Sequence, residues 1–171
     1  MTYSKLKNLF EEQSLLNDIN GILNWDMATY MPEKSRNQRV RQIEKILDYK
    51  KNIFDQIKKN ELFKKANDSN LSLEDKLNLN LMKDKFEYFD IVPYEYIRKK
   101  TSLAIMCEGE WRKAKIKSNF NLVKKSFKKL VDVIKIESEI LSQKKDKTKY
   151  DCLLSKYDRS LTSSRITKIF S

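Results

Sequence analysis

The stretch SRNQRVRQIEKILDYKKNIFDQIKK, from Ser35 to Lys59, decides the fold class of this chain. Its apolar side chains recur mostly at intervals of three, four and seven residues, and it contains neither Gly nor Pro. This spacing predicts one apolar face along an α-helix of roughly 35 Å. Ser35 and Gln38 also fit a capping box, in which each side chain binds the other's free backbone N–H. The predicted face comprises Val40, Ile43, Ile46, Leu47, Ile53, Phe54 and Ile57.

Few residues in the rest of the sequence favour tight turns. The chain of 171 residues has 2 Gly and 2 Pro, whereas average usage would supply roughly twelve and nine. Because turns between strands depend on both residues, we predict an all-α fold, an antiparallel array of long helices. We treat residues 1–171 as a single helical region that is an incomplete domain, with a polar turn at 66–72. The expected helices span about 4–28, 35–59, 73–90, 93–117, 121–143, 150–157 and 163–170.

Apolar spacing also predicts which side chains the other helices bury. Gly21 lies inside the first helix and costs about 1 kcal/mol relative to Ala, so we expect a close helix contact there. We expect Ser72, together with Asp75, to cap the start of the third helix. Thr162 or Ser163 is the expected cap of the last helix. The predicted buried sets are Leu6, Leu9, Phe10, Leu16, Ile19, Leu23 and Met27 in the first helix, Leu73, Leu77, Leu81, Phe86 and Phe89 in the third, and Val123, Phe127, Leu130, Ile134, Ile140 and Leu141 in the fifth.

Composition excludes several classes of protein. With 40% hydrophobic and 35% charged residues, the chain is not a disordered tail. No run approaches the roughly 20 apolar residues of a membrane span, and residues 1–10 lack the apolar core of a signal peptide. We expect a cytoplasmic chain without a membrane partner, in which Cys107 and Cys152 are free, buried thiols.

The sequence contains no His. This removes the commonest general base and zinc ligand, together with every Ser-His or Cys-His nucleophile pair. The acidic pairs Glu11–Glu12, Glu108–Glu110 and Glu137–Glu139 are one or two residues apart, so on a helix they point in different directions and are expected on solvated faces. We therefore predict no catalytic residue and no metal ligand on this chain.

The net charge of +12 is concentrated in residues 111–149, which hold thirteen basic and four acidic side chains, an excess of +9. Lys124, Lys125, Lys128 and Lys129 form a stripe there that could attract phosphates. Nucleic-acid binding would favour Arg with interleaved aromatic side chains, whereas Lys is abundant throughout this sequence. We therefore favour a chain without a nucleic-acid partner and keep a basic helical nucleic-acid-binding protein as an alternative function.

The most unusual string is Asn24-Trp25-Asp26-Met27-Ala28-Thr29-Tyr30-Met31-Pro32. It places an indole, a carboxylate and a hydroxyl at a helix end, and Pro32 ends the helix. The architectural interpretation buries Trp25 and uses Asp26 or Thr29 to bond free backbone groups of the turn. We favour this interpretation over a catalytic role.

Extended to Ile22 and followed by Arg39 and Gln42, this string resembles the N-terminal signature of the carboxypeptidase Taq family of metallocarboxypeptidases. The family usually has Pro-Gly where this chain has Arg159-Ser160, a loss that should change the turn. Further similarities follow in order along the chain: Pro93, Glu110-Trp111 with Ala114, Asn119 and Phe120, and Tyr150-Asp151, Leu153-Leu154, Tyr157-Asp158 and Thr162.

The resemblance implies an all-helical fold with a deep groove, a metal at its floor and, in many members, a dimer. It implies release of C-terminal residues from peptides by metal-activated water, with a Glu as general base. The family's zinc site, an H-E-x-x-H helix with a further Glu, lies downstream of the similar region. Zinc or another divalent metal therefore belongs to the full-length family, and this chain would form outer helical wall. Its signature residues would then be structural: Trp25, Asp26, Thr29, Met31, Pro32, Arg39, Trp111, Tyr150, Asp151 and Tyr157.

Three hypotheses follow for function. The first is the N-terminal region of a metallocarboxypeptidase, as a truncated product or a split half, since the last apolar stripe, at Ile166, Ile169 and Phe170, stops at the chain end. It is expected to be inactive alone because the sequence contains no His. Its partner would be the missing C-terminal portion or a homodimer partner, with a peptide substrate only in a complete enzyme. The second is the nucleic-acid-binding protein. The third is a helical interaction module that docks on a partner chain through exposed apolar patches.

Overall fold

The computed structural model describes residues 2–66 and 71–171, so residues 67–70 of the predicted polar turn lie outside the described part. Within it there are eight α-helices, one 3-10 turn at Glu33–Ser35 and no strand, which confirms the all-α prediction. The helices are α1 (Thr2–Ala28), α2 (Arg36–Lys59), α3 (Leu62–Lys65), α4 (Leu73–Ile91), α5 (Tyr94–Ile116), α6 (Asn121–Lys145), α7 (Lys149–Leu154) and α8 (Ser163–Phe170).

Most helix boundaries agree with the sequence prediction to within two residues, and two features differ by more. The helix predicted for 150–157 ends at Leu154, because the chain continues in turns, with the Tyr157 N–H donating to the Leu154 carbonyl at 3.0 Å. The unpredicted α3 follows Glu61, whose left-handed φ of 51° stops α2 and starts a new turn. The chain separates into two compact units, Met1–Asp90 and Ile91–Ser171.

In the first unit, α1 and α2 run antiparallel, since the end of α1 contacts the start of α2 while Gln13 of α1 bonds the Lys50 carbonyl. Aromatic rings cluster around Phe54, whose ring centroid is 4.4 Å from that of Phe89 and 5.9 Å from that of Phe10. Burial of such rings dominates core energetics. The core comprises Leu6, Leu9, Ile53, Phe54, Ile57, Leu62 and Leu79.

In the second unit, α5 and α6 form an antiparallel pair whose turn contains Ser118 at a φ of 47°. Their packed surface joins Cys107 and Ala114 of α5 to Val123 and the partly buried Leu130 of α6. Within residues 2–66 and 71–171, no helix is both long enough and apolar enough to cross a bilayer.

Two of the three predicted caps form. The Ser72 hydroxyl accepts from the Asp75 N–H at 3.1 Å, and the Thr162 hydroxyl accepts from the Arg165 N–H at 3.2 Å. The capping box at Ser35 is wrong, because Ser35 ends the 3-10 turn with helical dihedral angles and its side chain bonds no backbone N–H of α2. An N-cap residue needs an extended conformation to aim its hydroxyl.

Several predicted buried positions are exposed. Ile19 of α1 and Phe127 of α6 are about half exposed, and Leu73, Leu77 and Leu81 of α4 lie on its outer side. The predicted close contact at Gly21 is also wrong, because a Cβ placed there would have no heavy atom within 4 Å among the described residues. Since α1 and α4 carry apolar side chains on two sides, periodicity could not decide which side meets the core. The polar or small side chains buried instead include Gln13, Ser126, Glu137 and Ser138.

Candidate functional site

The string from Trp25 to Pro32 forms the corner between α1 and α2. The Asp26 carbonyl accepts from the N–H groups of Thr29, Tyr30 and Met31 at 3.1, 3.0 and 2.9 Å. The Thr29 hydroxyl donates to the Trp25 carbonyl at 2.8 Å. These bonds satisfy carbonyls that a helix end leaves without partners, as the architectural interpretation expected of Thr29.

Arg39 fastens this corner to α2. Its Nη2 donates to the Asp26 carboxylate and its Nη1 to the Leu23 carbonyl, while its Nε donates to Gln42 Oε1 at 2.8 Å. Arg39 is buried, and the side chain of Asp26 is about one-third exposed. The rigid guanidinium fork therefore links three acceptors on two helices.

Trp25 does not occupy the core. It is 59% exposed, which contradicts its expected burial, and its ring stacks edge to face on Tyr30 with centroids 5.6 Å apart. The Asp26 carboxylate is the counter-ion of Arg39, and this ion pair joins the end of α1 to the start of α2. Met31 is partly buried and Pro32 is exposed.

The second group of signature residues lies between α7 and α8. Asp151 Oδ1 accepts from the Ser163 N–H at 2.6 Å, and this hydrogen bond is the main reason that the pKa of Asp151 is lowered. Tyr150 and Tyr157 are exposed, the latter almost fully. Asp151 thus ties α7 to the start of α8, whereas the two tyrosines face outward.

The turn that lacks Pro-Gly is closed by side-chain hydrogen bonds. Asp158 Oδ1 accepts from both the N–H and the hydroxyl of Ser160 at 2.8 Å. Such Asp turns replace the backbone constraint that Pro and Gly would give. Trp111 lies apart from this turn on α5, half exposed, with Lys115 Nζ 5.3 Å from its ring centroid.

A buried ionic cluster in the second unit was missed from the sequence. Glu137 was expected on a solvated face, but it is 1% exposed and pairs with Lys100 of α5 and Lys156 just after α7. The distance from Lys100 Nζ to Glu137 Oε2 is 2.6 Å. The sequence contained one indication that Glu137 is buried. It lies four residues after Val133 and four before Leu141, so on a helix it shares a side with these two buried residues.

The electrostatics of this cluster favour a charged carboxylate. Burial raises the pKa of Glu137, but hydrogen bonds and charges from the two lysines outweigh it, so the pKa is lowered. Burial also lowers the pKa of Lys100, more than its pairing with Glu137 raises it. With both carboxylate oxygens in ion pairs, Glu137 joins α5, α6 and the end of α7.

No group of three or more Cys, Asp and Glu side chains that could hold a metal ion occurs among the described residues. Cys107 and Cys152 are free and buried, as expected, and burial raises the pKa of Cys152. A raised pKa disfavours the thiolate that metal binding and nucleophilic attack require.

Known proteins resemble this architecture. Trypanosoma cruzi metallocarboxypeptidase 1 superposes with a TM-score of 0.79 at 22% identity, and a Pyrococcus furiosus carboxypeptidase with 0.78 at 19%. A protein described as CHT gives 0.75 at 18%. Each match covers 99% of this chain but 34% of the other chain, so the chain spans about a third of their length. Comparison with curated protein sequences gave no match.

The fold is therefore that of part of a helical metallocarboxypeptidase. The profile of the carboxypeptidase Taq (M32) metallopeptidases matches residues 5–171, and the chain belongs to that family. The resemblance found in the sequence is confirmed.

Proposed function

We propose that this chain is the N-terminal helical part of a carboxypeptidase Taq-like enzyme and that it supplies scaffold without catalytic groups. The complete enzyme would release C-terminal amino acids from peptides in a metal-dependent reaction. One observation carries the proposal: the family match extends over residues 5–171, and the sequence contains no His.

The donor atoms of this chain do not fit a catalytic zinc, which is usually held by imidazoles and a carboxylate. Asp26 pairs with Arg39, and Glu137 pairs with two lysines. Asp151 accepts from a backbone N–H. Because these carboxylates are separately engaged in holding helices together, we derive no reaction step from them and assign metal binding to residues outside this sequence.

The contacts of the signature residues support a structural role. Arg39 and Asp26 fix the α1–α2 corner, while Asp151 fixes α7 to α8. We propose that residues 1–171 act as one helical region of the larger fold, with the remainder of that fold or a second copy as partner. The buried free thiols suit a reducing compartment such as the cytoplasm.

A peptidase assay tests the proposal. The purified chain, supplied with Zn²⁺ or Co²⁺, is incubated with N-blocked peptides, and released C-terminal amino acids are quantified beside a full-length metallocarboxypeptidase. We expect no release above the metal-only background. Release that needs metal, is stopped by a chelator and co-purifies with the chain would contradict the scaffold role.

One structural observation, which the sequence did not predict, favours nucleic-acid binding as the alternative function. Phe127 is half exposed between Lys124 and Lys128, and its ring centroid lies 6.4 Å from that of the exposed Phe120. The lysine stripe therefore has an exposed aromatic ring beside it, whereas the sequence predicted that Phe127 is buried. Binding of a fluorescent oligothymidine that weakens steeply with salt would support this function, and no binding at low salt would exclude it.

A further inference from the structure

The outer side of α1 carries an apolar ridge. Leu15, Ile19, Ile22 and Trp25 are 59, 48, 65 and 59% exposed. Their spacing of four, three and three residues places them along one line of the helix. This line lies on the side opposite the buried Leu9 and Gln13, so α1 is apolar on two sides. Such a helix is normally covered on both.

The ridge lies in an unusual charge environment. Residues 8–33 contain no Lys or Arg and five Asp or Glu, although 36 of the 171 residues in the chain are basic. Glu11 and Asp18 are exposed beside the ridge. Lys50 of α2 reaches α1 at Asn17, toward the α2 side of the helix, and Arg39 neutralises only Asp26. The ridge is therefore apolar with acidic flanks.

Gly21 adds an independent feature. It lies in the interior of α1, where Gly is less favourable than Ala. Apart from its chain neighbours and the adjacent backbone of α1, nothing described comes within 4 Å of the position its Cβ would occupy. A residue without a side chain next to Ile22 and one turn from Trp25 lets another backbone approach α1 closely. Among the described residues of the first unit, none fills this space.

We propose that the ridge of Leu15, Ile19, Ile22 and Trp25 is a docking surface for an amphipathic helix of another polypeptide, with Lys or Arg beside its apolar seam. The first two intervals of the ridge, four residues from Leu15 to Ile19 and three from Ile19 to Ile22, are those with which two helices interlock. Basic flanks would face Glu11 and Asp18, and the partner would cross at Gly21. The proposal rests on α1 alone and stands whether or not the proposed function does.

Charge argues against two other occupants. The same ridge of a second copy would place acidic flanks against acidic flanks, which is unfavourable. An anionic lipid surface attracts basic segments and would repel this one. A helix with basic flanks satisfies both the apolar and the electrostatic character of the surface.

Trp25 provides a direct probe. In a Trp111→Phe variant, Trp25 is the sole indole, and its emission should shift to shorter wavelength when a partner covers the ridge. The probes are two synthetic helices of about three heptads, with Leu at the seam and either Lys or Glu at the flanks. We expect the Lys peptide to bind more weakly as salt rises, and the Glu peptide to bind at least about tenfold more weakly than the Lys peptide.

Variants locate the site. Ile22→Lys should abolish the shift, whereas Leu77→Lys, at an exposed apolar position of α4, should leave it unchanged. Gly21→Ala should raise the melting temperature of the free chain, while Gly21→Leu should weaken docking at least about tenfold if the backbones approach closely. No binding, equal binding of both peptides, or equal loss from Ile22→Lys and Leu77→Lys would overturn the proposal. Self-association that Ile22→Lys removes would identify a second copy as the occupant and would also overturn it.

Discussion

Arg39 and Asp26, thirteen residues apart, form the ion pair that closes the corner between α1 and α2. The guanidinium also donates to the Leu23 carbonyl and to Gln42, so one buried side chain satisfies acceptors on both helices. The signature string and Arg39 thus form one set of contacts that holds the α1–α2 corner. Breaking these contacts should lower the free energy of unfolding.

Replacing Arg39 with Met tests this corner. The variant leaves the Asp26 carboxylate and the Leu23 carbonyl without their donor, so we expect it to lose about 2–3 kcal/mol of stability. Arg39→Lys should lose less but remain destabilised, because an ammonium cannot reproduce the fork. Arg41→Met, at an exposed position of the same helix, should change stability by less than about 0.5 kcal/mol. Urea unfolding followed by circular dichroism measures all three, and an Arg39→Met variant as stable as the Arg41→Met control would refute this role.

The Glu137 cluster should make stability depend on pH. Because the folded pKa of Glu137 is lowered, its contribution is present above the ordinary glutamate pKa and is lost as the pH falls through the lower folded value. Glu137→Gln should therefore cost about 3–5 kcal/mol near neutral pH, and the difference from the original chain should shrink below about pH 4.5.

Glu139→Gln is the matched control for that experiment. Glu139 pairs with Lys149 on the surface, where solvent screens such pairs and they contribute little to stability. Melting temperatures of the two variants at neutral and acidic pH are the measurement. A Glu137→Gln difference that persists unchanged in acid would show that the ion pairs are not its cause.

Two phenylalanines test the placement of the core. Phe54 lies within the aromatic cluster of the first unit, so Phe54→Ala should cost about 3–5 kcal/mol. Phe127 is half exposed, and Phe127→Ala should cost less than about 1 kcal/mol. If chemical denaturation gave equal losses, the assignment of Phe127 to the surface would be wrong.

The two cysteines should behave as buried thiols. We expect both to react slowly with a thiol reagent in the folded chain and quickly in denaturant, because burial limits access. At Cys152, burial also raises the pKa and so disfavours the thiolate. The melting temperature should not change on adding a reductant. An intact mass two hydrogens lower before reduction would show a disulfide instead.

The periodic part of the sequence predicted the helices well. The run from Ser35 to Lys59 is apolar on one side only, and its buried apolar residues all belong to the set that the spacing selects. Val40 and Ile46 of that set are partly buried, and the buried Arg39 lies outside it. Ile19 of α1 and Leu77 of α4 were misassigned, because these helices have two apolar sides and only tertiary packing decides between them. Periodicity reports that a side is apolar, not what covers it.

Part of the candidate site could likewise be predicted from the sequence, and part could not. The association of Trp25, Asp26 and Arg39 came from a family resemblance, while the geometry of the Arg39 fork and the exposure of Trp25 came from the structure. The burial of Glu137 could not be predicted from residue type, since a glutamate between lysine-rich segments usually lies on a solvated face. Its burial depends on Lys100 and Lys156, which are distant in sequence.

Zinc retention tests the central claim most directly. The purified chain is equilibrated with excess Zn²⁺, dialysed against metal-free buffer and analysed for metal by atomic emission, with a full-length metallocarboxypeptidase treated in parallel. If this chain is scaffold without a metal site, it should retain no stoichiometric zinc while the control does. Zinc retained at one equivalent per chain would contradict the account.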